Sequence, residues 1–190
     1  MNTVPFPLDP KSFRQTIGQF ATGVAVIATD VENHIHAMTV GSLTSLSLEP
    51  MLVLFCLDKR AKMAEVIEHA VGFSVNILRD EQQALSTYFA GGWKEQKAPP
   101  FRFVPWQGGP RLEGCAAALG CSKYHAYDGG DHRIVIGKVE ALHQGVEPRR
   151  PLIFHASMYA TIDRRNTKPA PELEGSNPNV PAFLDPWKEE

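Results

Sequence analysis

No apolar run in this sequence approaches the roughly 20 residues that span a bilayer, so no membrane-crossing helix is expected. Cysteine is scarce and odd in number. Cys56, Cys115 and Cys121 argue against a disulfide framework and fit a reducing compartment. Cys115, Cys121 and His125 match no paired zinc spacing, so no metal site is expected. Neither sign of charge is in excess, and a formal net charge of -2 gives the whole chain no attraction for nucleic acid or an anionic membrane. Residues 1–11 lack a basic segment followed by an apolar one, so a secretory leader is not expected and a cytoplasmic location is. The phosphate-binding and catalytic signatures G-x-G-x-x-G, G-x-x-x-x-G-K-[ST], H-E-x-x-H and G-x-S-x-G are all missing. A dinucleotide, if bound, is therefore not held by a Rossmann turn, and zincin chemistry is disfavoured.

What is present reads as one domain, since 190 residues can bury a sizeable core without staples. Asp9 and Pro10 open a helix carrying Phe13, Ile17 and Phe20 at helical spacing. Val24 to Thr29 and His36 to Val40 read as strands around the turn residues Asp30 to Asn33. Met51 to Leu57 is a continuous apolar run of strand length, expected to be buried on both faces. Arg60 to Ala70 predicts a helix with Met63, Val66, Ile67 and Ala70 on one face. Phe73, Val75 and Ile77 alternate as in a strand. Asp80 is placed to cap a third helix holding Ala84, Leu85, Tyr88 and Phe89, which Gly91-Gly92 stops. Trp93 to Gly109 reads as a long loop. Leu112 to Tyr124 and Arg133 to His143 predict two long strands joined by Ala126 to His132, and Pro151 to His155 and Tyr159 to Ile162 close the ordered part. Short strands, few helices and no regular βαβ alternation predict a closed or nearly closed antiparallel barrel with peripheral helices. Residues 1–165 form this domain, and 166–190 form a Pro-rich C-terminal tail.

Three segments could carry chemistry. Thr39, Ser42, Thr44, Ser45 and Ser47 crowd hydroxyls before a buried strand. Hydroxyls and free backbone groups are what a buried polar heterocycle needs, although a plain polar loop has the same makeup. Asp58-Lys59-Arg60-Ala61-Lys62 sets three cations at a helix start. Cations there oppose the helix dipole and make better sense beside a bound anion; the other reading is a solvated basic turn. Gly129-Gly130 allows close backbone approach to a ligand next to Asp131 and His132, where the carboxylate could orient the imidazole.

In this order, these segments resemble the flavin reductase family of two-component monooxygenases. The resemblance rests on Phe20 to Ile27, on Met38-Thr39-Val40 with Ser42, Thr44, Ser45 and Ser47, on Glu49-Pro50, on Phe73 to Leu78, on Gly130-Asp131-His132 and on Pro151 to His155. It implies a split β-barrel of the FMN-binding type, mainly β with peripheral helices, that forms a homodimer and holds FMN or FAD near the subunit interface. It implies that the flavin ring lies against Thr39, Val40, Ser42, Leu43, Thr44 and Ser45, with the phosphate met by Lys59, Arg60 and Lys62. Phe89 and Tyr159 are counted with these cofactor-binding residues. Gly130 and Asp131 sit on the nicotinamide side, with His132 as the catalytic position that holds NADH or NADPH. Many relatives carry Ser or Thr in the phosphate segment where this chain has Ala61 and Met63, so hydroxyl contacts to phosphate are in doubt and the cations and backbone N–H groups must compensate.

The implied activity is NAD(P)H-dependent reduction of FMN or FAD, with the reduced flavin passed to a separate monooxygenase component. Two other readings stay open at this point. One is a flavoprotein that keeps FMN and acts on its own substrate. The other is a non-enzymatic flavin-binding electron carrier, which would not need the Gly130-Asp131-His132 motif.

Overall fold

Alternation of side chains along strands dictates the architecture, and the computed structural model describes it over residues 7–146 and 150–162. The chain runs through helix α1 (Pro10–Ile17), β1 (Thr22–Gly23), β2 (Ala25–Val31), β3 (His34–Val40), β4 (Thr44–Leu48) and β5 (Met51–Asp58). Helix α2 (Lys62–His69), β6 (Gly72–Ile77), a 3-10 turn (Asp80–Gln82) and α3 (Gln83–Phe89) follow. The short strands β7 (Phe103–Val104) and β8 (Arg111–Leu112) precede the long β9 (Ala117–Gly129) and β10 (His132–Gln144), and β11 (Leu152–His155) and β12 (Met158–Thr161) complete the fold. Seven strands form one antiparallel sheet in the order β3-β2-β6-β9-β10-β5-β4. A small sheet β1-β11-β12 and the pair β7-β8 sit beside it. The expected mainly β barrel with peripheral helices is what forms. The Pro-rich stretch 166–190 lies outside the described residues.

Two apolar clusters cover opposite faces of the β2–β6 part of the sheet. Ala25, Ile27, Phe55, Leu57, Ile67, Phe73, Val75 and Val135 fill the barrel, where the Phe55 and Phe73 rings meet edge to face at 5.1 Å. Val24, Val26, Leu78, Leu85, Leu112 and Leu152 form the second cluster under α3 and β11. Because β6 is covered on both sides, Ser74 and Asn76, which a simple alternation turns toward solvent, are fully buried. Their polar atoms have partners. The Asn76 amide donates to the Val26 carbonyl at 3.0 Å and to Ser74 Oγ at 2.9 Å, its oxygen accepts from Leu112 N at 2.8 Å, and Ser74 Oγ donates to the Pro110 carbonyl. These bonds fasten β8 to the sheet.

Several local expectations change. The Phe13, Ile17 and Phe20 side chains stay exposed, and α1 ends at Ile17, so Phe20 lies beyond it. The cap itself is as expected: Asp9 accepts from Lys11 N at 2.8 Å and Ser12 N at 2.9 Å. Strand β5 is buried on one face only, through Val53, Phe55 and Leu57, while Leu52, Leu54, Cys56 and Asp58 are half-exposed on the other. Helix α2 starts at Lys62 rather than Arg60 because the Asp58 carboxylate holds the Arg60 N–H at 2.9 Å in the preceding turn. Asp80 does not cap α3; it opens the 3-10 turn and pairs with Arg150 at 3.0 Å. The segment 93–109 is not all loop, since Phe103 and Val104 pair with Leu112 and Arg111. The expected connection from Ala126 to His132 is mostly strand. Only Gly130 and Asp131 lie between β9 and β10, with Gly130 at φ +73°.

Gly137 on β10 faces the Phe73 ring and Cys121, which a Cβ at that position would strike. Gly137→Ala is expected to lower unfolding stability by about 1–3 kcal/mol through overpacking. Gly23→Ala, where nothing lies within 4 Å of the added carbon, should cost less than about 1 kcal/mol. Denaturant titration of both variants checks the difference.

Candidate functional site

Strand β5 is the element on which the candidate residues converge. It pairs with β10 on one side and β4 on the other. Directly opposed residues of antiparallel neighbours share a face, so the half-exposed residues of β5 extend into cross-strand rows. Asp58 lies beside His132, which in turn lies beside Gly129. Cys56 lies beside Ile134 and then Tyr127, and Leu54 lies beside Ile136 and then His125. On the β4 side, Thr44 opposes Leu54, and Ser42 Oγ accepts from Cys56 N at 2.9 Å and donates to the Cys56 carbonyl at 3.3 Å. The result is an outward face that is apolar at its centre, has hydroxyls along one edge and carries charge at one end.

That charged end is built from two turns. Arg60 donates to Asp58 through Nε at 3.0 Å and through a terminal guanidinium nitrogen at 2.6 Å. The Lys59 backbone N–H donates to the Asp131 carbonyl at 3.0 Å, and its ammonium reaches Asp128 at 2.9 Å. Asp131 in turn meets His132 Nδ1 at 2.8 Å. The hydrogen bonds from Arg60 hold the Asp58 carboxyl well below the usual carboxylate range, and the bond to His132 lowers Asp131. Groups lowered in this way keep their contacts above the ordinary carboxylate pKa and lose them only as the pH falls through the depressed value. Asp58 and Asp131 are thus charged at neutral pH. Helix α2 starts here with Ala61 at its N-cap, which offers no side-chain acceptor to the first-turn N–H groups.

The structure therefore brings Lys59, Arg60, Gly130, Asp131 and His132 to one end of β5, with Lys62 at the adjoining helix start. Other expected residues are engaged differently. Val40 is buried in the barrel core, and Leu43 packs against it, so their side chains serve the fold. Thr39 donates to the Ser86 carbonyl of α3 at 2.8 Å, and Ser86 Oγ lies 2.9 Å from the Tyr159 hydroxyl. Phe89 belongs to an aromatic group with Tyr88, Phe101 and Phe103 that lines a cleft of about 620 Å³ with His36. Thr44 and Ser45 are exposed. Asp128, Cys56, Ile134, Ile136 and Tyr127 were not singled out by sequence. Their place depends on the β9-β10-β5 register, which alternation alone does not fix.

Among the described residues no group of His, Cys, Asp and Glu is arranged to hold a metal. Cys115 and Cys121 are buried and free, and burial pushes Cys115 up and Cys121 up to about 12. Among the described residues no helix is long and apolar enough to cross a membrane.

Comparison with known proteins bears on the family and the fold. The flavin reductase like domain model matches residues 17–163. The reductase subunit HsaB of a flavin-dependent monooxygenase from Mycobacterium tuberculosis is 38% identical over 169 residues, covering 86% of this chain and 88% of that protein. The crystal structure of a nitrilotriacetate monooxygenase component B homologue from Mycobacterium thermoresistibile superposes with a TM-score of 0.78 at 37% identity, covering 87% of this chain and 94% of that one. The NADH:FAD oxidoreductase SgcE6 of Streptomyces globisporus, in complex with NAD and FAD fragments, gives 0.72 at 29% identity over 88% of this chain and 99% of that one. The split-barrel fold, the family match across nearly all of the described chain and the identity to the relatives lead to one conclusion: the chain belongs to the flavin reductase-like family.

Proposed function

We propose that this protein is an NAD(P)H:flavin oxidoreductase that reduces FMN or FAD and supplies the reduced flavin to a separate monooxygenase component. The observation that carries this reading is the meeting of an anion-suited turn, Lys59 to Lys62, with the Asp131-His132 pair at the end of an outward apolar face. Relatives named as reductase subunits of monooxygenases support the partner. A relative named NADH-dependent flavin reductase supports the electron donor.

Each part of the face then has a task. The apolar rows Cys56-Ile134 and Leu54-Ile136 give a flat ring something to lie on. Thr44, Ser45 and the backbone around Ser42 offer hydrogen bonds at its edge. Lys59, Arg60, Lys62 and the uncapped first turn of α2 meet a phosphate. Flavin, when bound, would supply the redox chemistry. Rate would come from orienting the two reactants, and His132, oriented by Asp131, would position the nicotinamide nucleotide. A second copy of the chain closes over this half-exposed face of Leu52, Leu54, Cys56, Ile134 and Ile136 and over the ring resting on it, giving a homodimer.

Three outcomes are expected. Purified protein should oxidise NADH or NADPH at a rate that depends on added FMN or FAD; absence of turnover with every pairing would overturn the reading. His132→Ala should raise the KM for the nicotinamide nucleotide about tenfold, in line with loss of a charge-assisted hydrogen bond, while the flavin KM stays within about twofold. Ile136→Glu, which sets a charge in the outward face, should shift the protein from dimer to monomer in sedimentation experiments.

A further inference from the structure

The turn that faces the flavin phosphate in the function proposed above is already neutralised from within. Arg60 is held by Asp58 through two guanidinium hydrogen bonds, and Lys59 by Asp128 at 2.9 Å. Asp131 lies alongside, hydrogen-bonded to His132. Three carboxylates thus stand against the three cations Lys59, Arg60 and Lys62, and among the described residues only Lys62 of the three has no ion pair. A turn shaped only to retain a phosphate would keep its cations free. Here the arriving dianion must draw Lys59 and Arg60 away from acids that already hold them, and it meets the field of those acids at short range.

The pairs are also placed to be exchanged rather than locked. The Arg60 and Asp128 side chains are 86% and 80% exposed, so water and ions reach both pairs. Exchange at Lys59 leaves the fold intact, because the register of the β9–β10 hairpin against this turn is kept separately by the Lys59 N–H bond to the Asp131 carbonyl. Asp58 keeps the turn closed through its bond from the Arg60 N–H, which an amide oxygen can also accept.

We propose that Asp58 and Asp128 are affinity-lowering residues that compete with the flavin phosphate for Arg60 and Lys59, so that flavin exchanges as a substrate instead of staying bound. This deepens the reductase reading and rests on it. Neither acid has a part in the chemistry. Their effect falls on the phosphate-bearing end of the ligand alone and weakens as salt screens the turn.

The test uses the full-length chain with Asp58→Asn, Asp128→Asn and the double variant, each close in size to the residue replaced. Dissociation constants for FMN and for riboflavin, which has the same ring without the phosphate, are measured by quenching of flavin fluorescence at low and at high ionic strength. Each single variant should bind FMN about threefold more tightly at low salt and the double variant about tenfold, with riboflavin within about twofold of wild type. The gain should shrink at high salt. Unchanged or weaker FMN binding, or equal tightening of FMN and riboflavin, overturns the proposal and leaves the flavin site standing. Failure of the wild type and all variants to bind either flavin overturns the proposal and the reductase reading together.

Discussion

The pairing of β5 with β10 is the constraint on which the rest depends. Its register sets Asp58 opposite His132, Cys56 opposite Ile134 and Leu54 opposite Ile136, with Phe55, Leu57 and Val135 turned inward. Strand side chains repeat every two residues, so a slip of β5 by one residue would drive Asp58 into the barrel and turn Phe55 out. The cost of burying an unpaired charge and exposing a large ring makes that register hard to lose. One hydrophobic choice thus fixes both the core and the outward face. The small-residue position Gly137 serves the same end, since it lets the Phe73 ring press against β10 at the barrel's centre.

A second constraint lies at β6. A strand covered on both faces cannot leave its polar residues to water, and Ser74 and Asn76 resolve this by bonding to β2, to Pro110 and to Leu112. The bonds that satisfy Asn76 are those that hold β8 against the sheet. The second core cluster, with Leu78, Leu85, Leu112 and Leu152, then closes over this side under α3. The Ser86 contacts to Thr39 and Tyr159 tie α3, β3 and β12 into the same layer.

Much of this was legible in the residues, and the exceptions share a cause. The strand at Val24 to Thr29 and the α2 face of Met63, Val66 and Ile67 follow from local pattern, because local pattern is what propensity describes. Ser74 and Asn76 mislead because alternation reports polarity and not what covers a strand. The Met51 to Leu57 run misleads in the opposite sense, since its outer face stays half-exposed in a single chain. In the candidate site, His132 and the Lys59 to Lys62 cations stand out as unusual local chemistry. Asp128 does not, because its meaning comes only from a long-range contact with Lys59. Thr39 and Ser42 were legible as hydroxyls but not as hydroxyls already committed to Ser86 and Cys56.

The state of the buried thiols has a consequence of its own. Reduced flavin released in air reacts with oxygen and yields hydrogen peroxide, so an enzyme of the proposed kind works beside an oxidant of its own making. Peroxide attacks thiolates, and the first step up the sulfur oxidation ladder needs that ionised form. Cys121, with its titration pushed to about 12, and Cys115, raised by the same burial, stay protonated at any physiological pH. The packing that fills the barrel around Cys121 thereby also keeps that thiol from the by-product of the proposed turnover.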